Sequence, residues 1–296
     1  MSIPAFMRML FLPVLIVVSS GRAFAGLDKL TTLKRAMANK QVTVKALSLG
    51  GYCGRCINVQ MTNNTANSIK VDVDPGLIFV PEDTNFQNLV VWGDESVELA
   101  PGATKDVSLE TFCGKSYAHS PASDIKYNFW KQGDSSMIKT LLFARDNKMD
   151  PYLVQNAVWT FTNAHRLSSI YCYGMDSQSY RLVKYIADLR HMPVPEYYVY
   201  HPRNNRPGQS AMRTDSGRII VPMQWGNEVE THVNIFVYRL NGEVYRVIDA
   251  DRVTDKNGTK VNVEFDQVRD IRGSYIVQAK DIHNKVLCEK KVEVDF

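Results

Sequence analysis

The sequence predicts a mainly β protein with helical elaboration: an N-terminal β-sandwich carrying a helical segment, then a second, C-terminal sandwich. Three observations predict it. Short runs rich in β-branched residues, separated by Gly-Gly, Asn-Asn-Thr, Asp-Pro-Gly and Pro-Gly, fill positions 41–110. Stretches with helical periodicity follow between 135 and 192. A second set of β-branched runs, punctuated by Asn241-Gly242, Lys256-Asn257-Gly258 and His283-Asn284, continues to Phe296.

The first segment, 1–25, has Arg8 ahead of an apolar run from Met9 to Val18 and ends in Ala23-Phe24-Ala25. This is the form of a signal peptide cleaved before Gly26. The run is too short to span a bilayer, and no cysteine follows it to carry a lipid anchor. Export to the periplasm, cell surface or medium is the expectation. Leu27, Leu30, Leu33 and Met37 are spaced for a short helix over 27–39. The runs QVTVKALSL, CINVQM, SIKVDV, GLIFV, QNLVVW, SVELA and KDVSLE then read as strands of the first domain, 26–195. SSMIKTLLFARDNK reads as a helix. Asp150 as N-cap and Pro151 at the first helical position start a second. SQSYRLVKYIADLRHM reads as a third, capped by Ser177 or Asp176 and ended by Pro193 and Pro195.

The segment 196–217, rich in Tyr, Arg, Asn and Pro, reads as a linker. Beyond it, 218–296 reads as an Ig-like sandwich of successive hairpins. VNIFVYRLNGEVYRVI, VEFD and RGSYIVQAKDIHNKVLCEKKVEV resemble the Ig-like domain of flagellar hook-capping proteins and the terminal modules of type IX secretion cargo. The resemblance implies a stalk or docking module over the last quarter of the chain.

The formal charge of +4 falls to +2 once Arg8 and Arg22 leave with the signal. So small a charge argues against bulk nucleic-acid binding, and the linker reads as a solvated connector that packs its tyrosines on a neighbour. After the signal, no segment is apolar enough to span a membrane. The expected partner is a protein or cell surface; the oligomeric state is not legible.

The residues that stand out chemically are in DPYLVQNAVWTFT, 150–162. Leu153, Val154, Ala157, Val158 and Phe161 share one arc of the helix, while Gln155, Trp159 and Thr162 form a second. The helix is therefore either buried on two sides or turns a polar-aromatic stripe to a site. Val154-Gln155-Asn156-Ala157-Val158-Trp159 resembles the hydrophobic-Gln-x-x-hydrophobic-Trp motif of bacterial thioester adhesin domains, and Phe112-Cys113 resembles their upstream aromatic-Cys motif. The resemblance implies that Cys113 and Gln155 crosslink with loss of ammonia and that the thioester then acylates an amine on another surface. The alternative for the same residues is structural: Gln155 bonding backbone at the sheet–helix junction and Trp159 filling a hydrophobic contact.

Five cysteines, Cys53, Cys56, Cys113, Cys172 and Cys288, leave an odd sulfur in an oxidising compartment. Cys53 and Cys56 are expected in a disulfide, with each other or from one of them to Cys113 or Cys172. Zinc ligation lacks a second Cys or His pair, and Asp72, Asp74, Glu82 and Asp83 are too sparse for calcium, so neither metal nor cofactor is expected. Asn63-Asn64-Thr65 and Asn257-Gly258-Thr259 fit the glycosylation pattern but sit on turns.

The expected function is non-catalytic surface interaction or adhesion in a bacterial envelope, with covalent attachment through Cys113 and Gln155 as its sharper form. One alternative is an envelope assembly or secretion component docking through its Ig-like domain. Another is an exported cysteine hydrolase built on Cys113 with His119 or His165.

Overall fold

The computed structural model describes residues 29–51, 53–202, 212–213 and 216–296; the expected signal peptide lies outside them. Among the described residues the fold is mainly β with four α-helices, a mainly β class as the sequence predicts. β1 (Lys29–Thr32) enters α1 (Leu33–Ala38), where the expected helix over 27–39 gives way to a strand in its first half. The reason is local. Lys29 to Thr32 pair in parallel with 69–72, leaving Leu30 exposed, and the Thr32 hydroxyl caps the helix by accepting from the Arg35 N–H.

β2 (Val42–Leu49), β3 (Cys53–Asn63), β4 (Ile69–Val73), β5 (Leu77–Pro81), β6 (Leu89–Val91), β7 (Glu95–Leu99), β8 (Thr104–Cys113) and β9 (Ser123–Gln132) follow. β1, β4 and β7 form one sheet. The other six close into a barrel in the order β2-β3-β8-β6-β5-β9. The second layer of the expected sandwich is thus rolled up. Register shifts between Arg55 and Ile57 and between Leu47 and Leu49 bend β3 and β2, and β9 closes the ring by pairing with both β2 and β5. Val71, Val73, Val97 and Leu99 of the small sheet share one core with Ile57, Met61, Phe79 and Leu109 of the barrel.

α2 (Ser135–Asp146), α3 (Pro151–Thr162) and α4 (Asp176–Arg190) form a layer on the barrel's outer face. Their buried residues, including Leu141, Leu153, Val158, Leu182 and Ile186, pack with Ile78, Val90 and Phe112 of the barrel. The expected caps hold at Asp150, whose carboxylate accepts from the Tyr152 N–H at 2.8 Å, but not at α4. There Met175 is the N-cap without a side-chain bond, because Asp176 turns outward to Tyr171 and Asn262.

The expected linker begins as β10 (Tyr198–Tyr200), which pairs with β11 (Arg218–Trp225). β12 (Thr231–Arg239), β13 (Val244–Thr254), β14 (Thr259–Asp266), β15 (Gly273–Asp281) and β16 (Val286–Val294) complete the C-terminal domain. The sheets are β10-β11-β14 and β13-β12-β15-β16. Two hairpins, β12–β13 and β15–β16, are as expected, but β14 crosses to the other sheet to pair with β11. Tyr198 and Ile220, on the outer face of the smaller sheet, are buried in the helical core. The helices are therefore the middle layer between barrel and sandwich.

Candidate functional site

Cys113 ends β8, and its position follows from the barrel ladder. The Gly114 N–H reaches the Asn88 carbonyl at 2.7 Å, so Leu89 and Cys113 face each other as a non-hydrogen-bonded pair. Both backbone groups of Cys113 consequently point away from β6. Gln155, in the second turn of α3, meets them. Its Oε1 accepts from the Cys113 N–H at 2.8 Å, and its Nε2 donates to the Cys113 carbonyl at 2.7 Å. The carboxamide extends the ladder by one rung. Because a backbone N–H can only donate, this pairing fixes which end of the amide is oxygen.

Cys113 is fully buried and Gln155 is 2% exposed. Trp159, one turn on, is also buried and lies 5.7 Å from the His165 ring. Burial on two sides holds for most of α3: Leu153, Val154, Ala157 and Val158 face the helical core and Gln155 the end of β8, while half-buried Phe161 and Thr162 border a cleft. At Gly114 an added Cβ would stand 3.0 Å from the Asn88 Cβ, so the residue after the cysteine has little room for a side chain.

The loop beyond Gly114 is tied to the end of α3 and the segment after it. The Ser116 N–H donates to Asn163 Oδ1 at 3.0 Å, and Ser116 Oγ lies 2.9 Å from His165 Nε2. Burial, then the neighbouring His201, keeps the His165 pKa below its ordinary value. On the barrel side, the buried Tyr127 hydroxyl donates to the Gln87 carbonyl at 2.7 Å. Its pKa is raised by burial first, with Cys113 and Cys56 adding to the effect. A cleft of about 270 Å³ opens beside the pair, lined among others by Gly114, Trp130, Met137, Phe161 and Asn163. The Cys113 side chain shares the Leu89 face of the ladder, towards the barrel interior, while Gly114 on the opposite face borders the cleft.

The sequence residues do not all converge here. Cys113, Gln155 and Trp159 do. Cys56 is buried in the barrel core, and no disulfide is formed among the described residues. The side chain of Cys53 lies outside them, and the pairing expected of Cys53 and Cys56 lies outside them with it. His119 is exposed, on a backbone bridge to Phe86. His165 engages Ser116, a residue the sequence reading passed over because a lone serine in a polar loop carries no pattern. Asn63 is buried with its amide donating to the carbonyls of Asn67, Leu99 and Ala100, a structural duty incompatible with carrying a glycan. No group of three or more metal-ligating side chains occurs among the described residues.

No protein-family model and no curated protein matches this sequence. Among solved structures, a selenomethionine-labelled β-glucosidase from Kluyveromyces marxianus aligns with 81% of this chain and 44% of its own, at 10% identity and a TM-score of 0.20. The chain spans less than half of that enzyme, and the likeness carries no argument.

Proposed function

We propose that this protein is an exported envelope protein that attaches covalently to an amine on a partner surface through a thioester between Cys113 and Gln155. One observation carries the reading: the Gln155 carboxamide is held on the backbone of Cys113 itself, in a buried site. The Cys113 thiolate would attack Cδ of Gln155. Charge then develops on Oε1, where the Cys113 N–H already donates, the geometry of an oxyanion donor. Nε2 takes the thiol proton and leaves as ammonia, and a C–S bond replaces the C–N bond. A primary amine later adds to the same carbon, sulfur leaves with the amine's proton, and an amide joins the partner to residue 155. Burial protects the thioester from water until the amine enters through the cleft at Gly114.

A second reading is an assembly component that docks through the Ig-like domain. It draws on β13, an edge strand of its sheet with Val244, Val247 and Val253 about half exposed. In it, the paired bonds of Gln155 are a structural lock between α3 and the barrel.

Intact mass of the secreted protein, with peptide mapping, separates the two. The first predicts a deficit of about 17 Da, one ammonia, localised to the peptides of Cys113 and Gln155. It also predicts that methylamine couples to residue 155 in the parent protein and not in Cys113→Ala. An unmodified Gln155 and partner capture that survives Cys113→Ala would establish the lock.

A further inference from the structure

A cavity remote from Cys113 is roomier than the cleft at Gly114. It lies between α4 and the C-terminal sandwich, holds about 600 Å³, and is within the range of small-ligand sites, which favour domain junctions. Its wall is mixed in a particular way. Asp176 and Glu196 bring carboxylates, Lys260 and Lys290 ammonium groups, and Asn262 and Gln224 amides, while Glu289 borders the cavity with its carboxylate turned to Gln278. Several of these groups are held in place. Asp176 accepts from the Tyr171 hydroxyl at 2.6 Å and from Asn262 Nδ2 at 3.1 Å, with Lys260 Nζ 3.7 Å away. Glu289 accepts from Gln278 at 2.6 Å, and Glu196 from the Lys291 N–H at 3.1 Å. Tyr180, half exposed on α4, supplies an aromatic surface at the rim, and Pro195 and Pro222 add apolar ones.

The chemistry of the wall selects among ligands. The carboxylates oppose a phosphate or other anion, while the lysines oppose a cationic peptide. A purely apolar ligand would leave the amides and charges without partners. A neutral polyol is suited to all of them, because each hydroxyl can donate to a carboxylate and accept from an ammonium or amide. A pyranose ring also has an apolar C–H face that can lie on Tyr180.

We infer that this cavity binds a short neutral oligosaccharide, seated on Tyr180 and hydrogen-bonded to Asp176, Lys260 and Asn262. The site is independent of the thioester: it would hold the chain on a glycan-bearing surface whether or not Cys113 reacts.

The test uses the full-length protein carrying Cys113→Ala, so that covalent capture cannot contribute. The probes are neutral gluco-, manno- and chito-oligosaccharides of two to four units, followed by calorimetry and by alkylation of Cys288, whose thiol also lines the cavity. One of these series should bind, slow alkylation of Cys288 by about tenfold, and lose about tenfold in affinity with Tyr180→Ala. Tyr180 is half exposed, and unchanged thermal unfolding of that variant would exclude a folding defect. No binding by any of the three series at millimolar concentration, or binding that Tyr180→Ala and the Cys288 alkylation rate do not register, overturns the inference. Binding confined to anionic glycans or to peptides overturns it as well.

Discussion

At the scale of single residues, the backbone of Cys113 depends on the side chain of Gln155. Replacing Gln155 with Leu keeps the volume roughly constant but removes both hydrogen bonds inside a buried site. Each backbone group that loses its bond costs about 1–3 kcal/mol. Urea unfolding of Gln155→Leu should therefore show a substantial drop in stability, larger than that of Cys113→Ser, which leaves the backbone bonds intact. Equal losses in the two variants would mean that the clamp contributes nothing. A second residue-scale expectation concerns acid. Burial lowers the pKa values of His165 and His201 beneath the ordinary 6.5. Below pH 6.5 the unfolded chain binds protons that the folded chain refuses, so this stability is complete above 6.5 and is lost as pH falls toward the folded values. Denaturation between pH 7 and 5 should show that decline, and His165→Gln should make it shallower. An unchanged slope would put the acid sensitivity elsewhere.

At the scale of elements, α3 matters because it delivers Gln155 and Trp159 to the end of β8. Its start rests on Asp150, whose side chain caps the Tyr152 N–H while its own N–H donates to Gln178 of α4. Asp150→Ala should cost about 1 kcal/mol in thermal or urea unfolding. It should not change the mass deficit that the proposed thioester predicts at Cys113 and Gln155, since Pro151 and the buried arcs still fix the helix. Loss of the deficit would mean that the helix start sets the register of the clamp. α3 was legible in the sequence because cap, proline and periodicity agree. The strands of the C-terminal domain were legible for a like reason: Tyr275, Val277 and Ala279 alternate inward between clear turns. β9 escaped notice although Tyr127 faces the core and Ile125 and Phe129 pack against it, because exposed Lys126, Asn128 and Trp130 dilute the run. Barrel closure escaped too: the bulge in β3 shows only as the adjacent buried pair Cys56 and Ile57, a break in alternation that does not say which strands close the ring. At the site, Gln155 and Trp159 stood out as anomalies on a helix, and the motif likeness connected them to Cys113. Ser116, Asn163 and His165 were joined only by folding, across 47 to 49 residues of chain.

At the scale of the whole molecule, the helical layer decides whether barrel and sandwich behave as separate bodies. A solvated linker over 196–217 would let them move independently, as weakly attached domains do. The segment packs its first tyrosines on a neighbour, as its sequence suggests: Tyr198 is 5% exposed and stacked on Tyr171 with ring centroids 5.3 Å apart. Ile220 joins the same core from the next strand, and Tyr173 donates to Glu264 at 3.1 Å. The exposed Arg166–Asp295 pair at 3.7 Å adds little, as surface ion pairs do. Coupling therefore rests on buried aromatic contact, and heating should unfold the protein in one calorimetric transition. Tyr198→Ala deletes the central ring and should cost about 3–5 kcal/mol, as large aromatic truncations in a core do. The loss falls on the junction, because the inner cores of barrel and sandwich do not include this residue. The expected result is that the single transition splits into two. A single transition that merely shifts to lower temperature would assign the coupling to other contacts, and two transitions already present in the parent would show that the layers are independent without any substitution.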